Sequence, residues 1–199
     1  MPRGRYRSRS LIFRKPQAEN DAERLADAMG WPVRGEIAAD HSRGIPYEVM
    51  WGVGPILRLH YLEDDLSASS YLVFSGDKQD AVDAATRVAE RHLEFFSFDE
   101  LLTAVVHARD DAEKCRAIIR AAIGAPREFD ECFFELIRDL LRNKNPALRE
   151  AAIWAISYPG WPVFFDLLRS TARTDPSRRI RDTAEGMLGA FAAADGANQ

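Results

Sequence analysis

Two short stretches of the sequence combine histidine with carboxylates, the residue types that bind metal ions and transfer protons. His60 is followed by the acidic run Glu63–Asp65, which offers the nitrogen and oxygen ligands that divalent metals take. No second histidine stands at a metal-ligand spacing from His60, so a solvated acidic loop is the better interpretation. His107 and Asp111 stand four residues apart, but a break between helices is expected there and one His–Asp pair defines no reaction. The sequence therefore predicts no metal site and no cofactor.

Two glycine-containing stretches lie where phosphate-binding loops or tight turns occur. Ser75-Gly76-Asp77 lies between a predicted strand and a predicted helix, which is where phosphate-binding loops occur. It lacks the glycine spacing and the Lys-Ser/Thr ending of those loops. Gly52-Val53-Gly54 is similarly short and predicts a hairpin turn. The sequence also contains no GxSxG, HExxH or paired CxxC motif, so it predicts no enzymatic activity.

Aromatic and arginine residues near the end of the chain predict a surface that binds another protein. Trp154 lies about 130 degrees from the centre of the apolar stripe of its helix, at 100 degrees per residue, so it faces a neighbouring helix pair or the solvent. Tyr158 and Trp161 follow in a loop, and Arg178 and Arg179 could add charge beside them. Exposed Trp, Tyr and Arg side chains are favoured anchors of protein interfaces. For Trp154 itself, packing between helix pairs is favoured over a role at an interface.

The composition of the chain is that of a folded protein. The 199 residues are 46% hydrophobic and 29% charged, which is enough for one well-covered core or two small ones. The apolar runs are too short to cross a membrane, and the first residues do not resemble a secretory signal. Cys115 and Cys132 are too few for a disulfide framework. We therefore expect a soluble, cytoplasmic protein with no membrane association.

Charge is distributed unevenly along the chain. The first 18 residues carry six basic and no acidic side chains, so the net charge of -4 leaves -10 for the rest. A basic arm can reach phosphates, but an acidic body repels a nucleic-acid backbone. Residues 1–10 therefore predict a solvated basic arm, and nucleic acid is the less favoured partner.

Residues 11–95 predict an α+β domain with a small antiparallel sheet and two helices. Apolar and polar side chains alternate along Tyr47–Val53 and along Leu57–Tyr61, with a turn at Gly54-Pro55 between them, which is typical of an antiparallel strand pair. The apolar run Tyr71–Phe74 predicts a central strand. Further elements are expected at Leu11–Arg14 (strand), Ala18–Met29 (helix) and Lys78–Leu93 (helix).

Residues 96–194 predict six amphipathic helices, followed by a disordered tail over residues 195–199. Apolar residues recur at the helical spacing i, i+3, i+4, i+7 and i+8 in six successive segments. The six stripes begin at Phe98, Cys115, Phe133, Leu148, Phe164 and Ile180. Alternate stripes are 35 and 31 residues apart, and the intervening ones 33 and 32. A nearly constant period of two helices is typical of a helical solenoid.

Each second helix of this repeat opens with an apolar residue and an arginine. In the clearest copy the sequence reads Asn145-Pro146-Ala147-Leu148-Arg149-Glu150-Ala151-Ala152, which resembles the Asp-Pro-x-Val-Arg-x-x-Ala pattern of HEAT repeats, especially the short bacterial form. The resemblance implies three stacked helix pairs, in which the arginine ties the second helix to the turn residue of an adjacent repeat. The turn positions here are Asp111, Asn145 and Asp175. Tetratricopeptide repeats have a similar period, but their signature Trp and Gly-Tyr positions are not found.

These observations lead to two functional hypotheses. The first is a non-catalytic scaffold, adaptor or inhibitor that presents the helical surface to a protein partner, as a bacterial immunity or assembly factor would. The alternative is a nucleic-acid-binding protein resembling the HEAT-like alkylpurine DNA glycosylases, with bases stacked on Trp154 or Trp161. Those enzymes carry a strongly basic concave face, whereas the body of this chain is acidic. The pattern favours no particular oligomeric state.

Overall fold

The computed structural model describes residues 5–40, 44–54 and 56–196, and the chain separates into two compact units, residues 1–97 and 98–199. Parts of three predictions lie outside the described residues: Arg3 of the basic arm, Pro55 of the turn and residues 197–199 of the tail. None of the helices in the described ranges combines the length and apolar character that a membrane span requires.

The first unit contains an antiparallel sheet that has six strands in the part of the chain that the structure describes. The strands are β1 (Tyr6–Arg7), β2 (Leu11–Ile12), β3 (Val33–Ile37), β4 (Tyr47–Gly52), β5 (Leu57–Asp64) and β6 (Ser69–Gly76). Their order is β1-β6-β5-β4-β3, and β2 also pairs with β6. Two helices, α1 (Glu19–Ala28) and α2 (Gln79–His92), complete the unit. The predicted α+β class is confirmed.

The alternating side chains of the central strands separate the two faces of this sheet. Alternate residues in the middle of β4, β5 and β6 belong to the apolar core. The core includes Val49, Trp51, Leu59, Tyr61, Leu72 and Phe74, together with Ala22 and Ala26 of α1 and Val82, Ala85 and Ala89 of α2. The intervening residues, which include Glu48, His60 and Ser75, therefore lie on the opposite face of the sheet.

Two strands were not predicted from the sequence. β1 falls within the segment interpreted as a solvated arm, yet Tyr6 lies opposite Gly76 and Arg7 opposite Ser75 in an antiparallel ladder. β3 forms the outer strand beside β4, with a register shift between Val33 and Gly35. Both are edge strands of the sheet, and edge strands show less of the apolar alternation that reveals central strands.

The second unit consists of helices, six in the described residues. They are α3 (Phe98–Val106), α4 (Asp111–Ile123), α5 (Glu131–Leu140), α6 (Pro146–Ile156), α7 (Phe164–Thr174) and α8 (Arg178–Gly196). Each first helix contacts its following helix, giving the pairs α3–α4, α5–α6 and α7–α8. The second helices also contact one another in succession, α4 with α6 and α6 with α8. Residues 195 and 196, predicted to be a disordered tail, are the last residues of α8.

Side chains at the helix starts explain where several of these helices begin. Asp130 accepts a hydrogen bond from the backbone N–H of Phe133, and Asp110 accepts one from that of Glu113. Asn145 accepts one from Ala147. Each bond satisfies a donor that the first turn of a helix leaves free, so these residues fix the helix boundaries.

A buried ion pair ties α6 to the turn that precedes α8. Arg149 Nε and Nη2 donate to the two carboxylate oxygens of Asp175 at 2.7 and 2.9 Å. The remaining arginine nitrogen donates to the backbone carbonyls of Asn143 and Lys144 at 2.9 and 3.2 Å. A buried charge is tolerated only when it is paired and hydrogen-bonded, as both charges are here.

Candidate functional site

The five predicted partner-binding residues occupy different environments in the second unit. Trp154 lies on α6 with 46% of its surface exposed, and Tyr158, just after the end of that helix, is 36% exposed. Trp161 is only 6% exposed. Arg178 and Arg179 are exposed in the first turn of α8. The structure therefore offers four of the five residues to the solvent.

Trp161 has a packing role that its position in a loop did not reveal. Its indole N–H donates to the backbone carbonyl of Arg127 at 3.1 Å. Its ring stacks on Phe164, with 5.5 Å between centroids and 10° between planes, and meets the edge of Phe133 at 5.8 Å. These contacts join the loop before α7 to α5, so Trp161 stabilises the helical unit and is not positioned to contact a partner.

Arg179 connects the terminal helix to the helix that carries Trp154. Its Nη2 lies 2.8 Å from Glu150 Oε2. Glu150 and Trp154 are four residues apart on α6, which places them on the same side of that helix. Arg178 instead forms an ion pair with Asp182 on its own helix, at 3.6 Å. Arg179 and Trp154 therefore belong to one surface, whereas the structure shows no such link for Arg178 within the described residues.

We use the term second-helix face for Glu150 and Trp154 of α6 and Arg179 of α8. The ion pair between Arg179 and Glu150 lies one helical turn from the exposed indole of Trp154. The face therefore combines a large aromatic side chain with one balanced pair of charges.

A separate constellation, which the sequence did not reveal, lies on the first unit. Glu48, His60 and Ser75 belong to the adjacent strands β4, β5 and β6. His60 Nδ1 is 2.6 Å from Glu48 Oε1, and His60 Nε2 is 2.7 Å from Ser75 Oγ. The side chains of His60 and Glu48 are 13% and 20% exposed, and Ser75 is 4% exposed. The three residues thus form one hydrogen-bonded chain.

The register of the sheet creates this chain. Met50, His60 and Val73 lie opposite one another across the three strands. Glu48 is two residues before Met50, and Ser75 is two residues after Val73, so both are diagonal neighbours of His60 on the same face. A shift of one residue in either strand pair would move one partner to the other face and break the chain.

The ring nitrogens of His60 have distinct roles in this arrangement. An ionised carboxylate can only accept hydrogen bonds, so a neutral His60 must donate to Glu48 from Nδ1. Nε2 is then unprotonated and accepts the hydroxyl proton of Ser75. The order carboxylate, imidazole, hydroxyl is the one used to activate a serine nucleophile.

Comparisons with models of protein families, with curated proteins and with solved structures found no match.

The acidic run that follows His60 takes no part in its hydrogen bonding. Glu63 Oε1 accepts a bond from the Tyr61 hydroxyl at 2.7 Å, and Asp64 accepts one from the backbone N–H of Ser67 at 2.7 Å. No group of three or more His, Cys, Asp or Glu residues in the described ranges could hold a metal ion. Asp64 therefore stabilises the turn between β5 and β6, and Glu63 bonds to a tyrosine of its own strand.

A cavity of about 510 Å³ lies beside the buried ion pair of the second unit. Its lining includes Arg138, Arg142 and Lys144, near the end of α5, and Ser170 and Thr174, near the end of α7. Basic side chains at the C-terminal end of a helix offset the partial negative charge of its last carbonyl groups. The charges around this cavity are explained in this way without a ligand.

Proposed function

We propose that residues 98–196 form a HEAT-like stack of three helix pairs, whose second-helix face binds a protein partner without catalysing a reaction. An immunity or assembly factor would have this role. The proposal combines the repeat in the sequence with the packing of the helices and with the exposure of Trp154.

Contacts between successive pairs support the stack. The second helices pack in the order α4, α6, α8, as in a solenoid whose units bury their apolar faces against one another. Arg149 reaches the turn residue of the following pair, Asp175. Asn145 Nδ2 donates to Asp111 Oδ2 at 2.6 Å and so links the two earlier turns by a neutral donor. Both contacts connect neighbouring pairs at the turn positions that the HEAT pattern uses.

The exposure of Trp154 is the observation that carries the binding proposal. Almost half of this large aromatic side chain is in contact with water (46% exposed), and the exposed Tyr158 follows one helical turn later. One exposed apolar residue is ordinary, but Trp and Tyr on a rigid helix supply large contact area at little cost in conformational entropy. We therefore infer that Trp154 is an anchor of the interface.

The side chains of the same face indicate the kind of partner. The ion pair between Arg179 and Glu150 is internally balanced, so the exposed indole of Trp154 is the main contact area of the face. We expect a protein that presents an apolar or aromatic side chain to Trp154.

The experiment compares two variants of the tagged full-length chain. Proteins retained from a native lysate are quantified for wild type, Trp154→Ala and Val163→Ala. Val163 is 43% exposed but lies outside the second-helix face, so it serves as the matched control. Trp154→Ala should weaken binding of the retained partner by about 30-fold, the effect of losing about 2 kcal/mol at an interface anchor. Val163→Ala should bind like wild type.

Circular dichroism must show that both variants keep the helical content of wild type. Equal binding by wild type and Trp154→Ala would contradict the assignment of the face. Retention that disappears after nuclease treatment would instead favour the nucleic-acid alternative, which a gel shift at low salt would then test directly.

A further inference from the structure

We propose that Glu48, His60 and Ser75 form a catalytic site that hydrolyses small acyl esters, with Ser75 as the nucleophile and His60 as the general base. The site belongs to the first unit and does not depend on the binding function proposed for the second. It differs from the absence of activity that the missing sequence motifs led us to expect.

The order and direction of the hydrogen bonds indicate that Ser75 can be activated. His60 needs only one acceptor and one donor to satisfy its ring nitrogens. Here the acceptor is a carboxylate at 2.6 Å, which fixes the tautomer, and the donor is a hydroxyl at 2.7 Å. A backbone carbonyl and a backbone N–H would satisfy a buried histidine equally well. The pairing with Glu48 and Ser75 instead leaves Nε2 ready to accept the proton that Ser75 loses on attack.

Basic side chains lie on the strands beside Ser75. Arg7 on β1 and Arg58 on β5 are its direct partners in the two strands beside β6. Directly opposed residues on one face of a sheet have Cβ atoms about 4.5–5.5 Å apart. Attack on an ester creates a negative oxygen next to Ser75, and two arginines on the neighbouring strands give this part of the face a positive potential, although Arg58 Nε also donates to the Gly54 carbonyl at 3.1 Å.

The exposure of Ser75 limits the substrate. Only 4% of this residue is in contact with water, so a long or branched acyl group, or a folded protein segment, could not bring its carbonyl to Oγ. A short and unbranched acyl group, such as acetyl, needs the least space beside Oγ. The site would therefore hydrolyse esters of small carboxylic acids.

The proposed reaction needs no reactant other than the ester and water. Ser75 Oγ bonds to the carbonyl carbon while His60 Nε2 accepts the hydroxyl proton. The ester C–O bond then breaks, and the leaving alcohol takes the proton from His60. Water repeats the sequence on the acyl-enzyme, with His60 as its base, which releases the carboxylic acid and restores Ser75. Glu48 touches no reacting atom and is a positioning residue.

The test uses the full chain and a small alkyl fluorophosphonate, which reacts covalently with activated serines. Mass spectrometry of peptides should place the label on Ser75. His60→Gln should slow labelling by at least about 100-fold, the lower end of the contribution of a general base. Ser70→Ala is the matched control, because Ser70 is also buried and lies on β6 but faces the other side of the sheet. It should label like wild type.

Two substitutions at Glu48 separate positioning from simple support of the fold. Glu48→Gln can donate to Nδ1 and so favours the wrong tautomer of His60, which should slow labelling strongly. Glu48→Asp keeps the carboxylate and should retain most of the rate. A residue with only a structural role would not distinguish the two in a chain that remains folded.

Three results would overturn the proposal. The first is a folded wild-type chain that the fluorophosphonate does not label at Ser75. The second is a His60→Gln variant that labels as fast as wild type. The third concerns the substrate: 4-nitrophenyl acetate should be hydrolysed at least tenfold faster than 4-nitrophenyl octanoate, and the reverse order would exclude small acyl esters.

Discussion

The buried ion pair between Arg149 and Asp175 leads to a quantitative prediction about the stability of the helical unit. Asp175→Ala removes both bonds from Arg149, at 2.7 and 2.9 Å, and the bond from the Ser177 backbone N–H at 2.8 Å. Arg149 remains in a site where its side chain is only 7% exposed. The substitution thus leaves a buried charge without its counter-charge.

Removing one partner of a buried ion pair typically costs about 3–5 kcal/mol. Arg149 keeps its two bonds to the carbonyls of Asn143 and Lys144, which favours the lower end of that range, and the lost bond to Ser177 adds about 1 kcal/mol. We expect Asp175→Ala to lower the free energy of unfolding by about 4 kcal/mol. This is a large fraction of the stability of an ordinary domain.

Urea unfolding followed by circular dichroism measures this change. Asp166→Ala is the matched control, because it removes an aspartate that pairs with Arg169 at 2.8 Å while 90% exposed. An exposed pair of this kind contributes about 0.5 kcal/mol or less. If Asp175→Ala costs less than about 1 kcal/mol, the ion pair does not hold α6 to the following turn and our argument is wrong.

The pH dependence of stability tests the same pair independently. Burial alone would raise the pKa of Asp175, but hydrogen bonds from Arg149 and the Ser177 backbone outweigh it and lower the pKa below 3.8. A lowered pKa in the folded state stabilises the protein above the unfolded value, and this contribution disappears as the pH falls through the folded value. The stability difference between wild type and Asp175→Ala should therefore be constant near neutral pH and shrink below about pH 4.

Three further predictions concern two glycines and the two cysteines. Gly52 has φ +152, and a Cβ there would lie 2.4 Å from the carbonyl oxygen of Leu57, so Gly52→Ala should destabilise the first unit by at least about 2 kcal/mol. Gly186 lies within α8, and a Cβ added there would meet no other part of the chain within 4 Å apart from the backbone of its own helix. Gly186→Ala should therefore raise the free energy of unfolding in urea by about 0.5–1 kcal/mol. Cys132 is exposed, whereas burial and the nearby charge of Asp111 raise the pKa of Cys115, so a chromogenic disulfide reagent should modify Cys132 first. Equal rates at the two thiols would contradict this last expectation.

The helices of the second unit could be predicted because their signal is local. The spacing of apolar residues within each segment determines which side of a helix is buried, whatever the rest of the chain does. The helix α3 begins at Phe98 and α7 at Phe164, the residues that open their stripes. The same spacing turns Trp154 away from its paired helix, but it did not decide between a neighbouring pair and the solvent.

The packing of Trp161 could not be predicted in this way. It lies between helices, where no periodicity applies, and its burial depends on the loop around Arg127 and on the rings of Phe133 and Phe164. Contacts between segments that are distant in sequence are determined by how the helices pack. A tryptophan followed by proline in a loop is equally compatible with exposure.

The hydrogen-bonded chain of Glu48, His60 and Ser75 could not be predicted for the same reason, since it joins segments that are distant in sequence. Its members are 12 and 15 residues apart, and no sequence motif has that spacing. The alternation of apolar residues places Glu48 and His60 on the face opposite the core, but the run Tyr71–Phe74 is apolar throughout and gives no such signal for Ser75. Their contact also requires the registers of two strand pairs, and these depend on turns whose geometry the sequence alone did not determine.

The outer strand β3 affects how the first unit behaves at high concentration. An edge strand has backbone N–H and C=O groups that can pair with a strand of another molecule and start aggregation. In β3 the register shift between Val33 and Gly35 interrupts the regular ladder, and the charged residues Arg34 and Glu36 follow one another around that glycine. Irregular twist and charge both make intermolecular strand addition unfavourable. The β3 edge of the sheet is thereby protected against self-association.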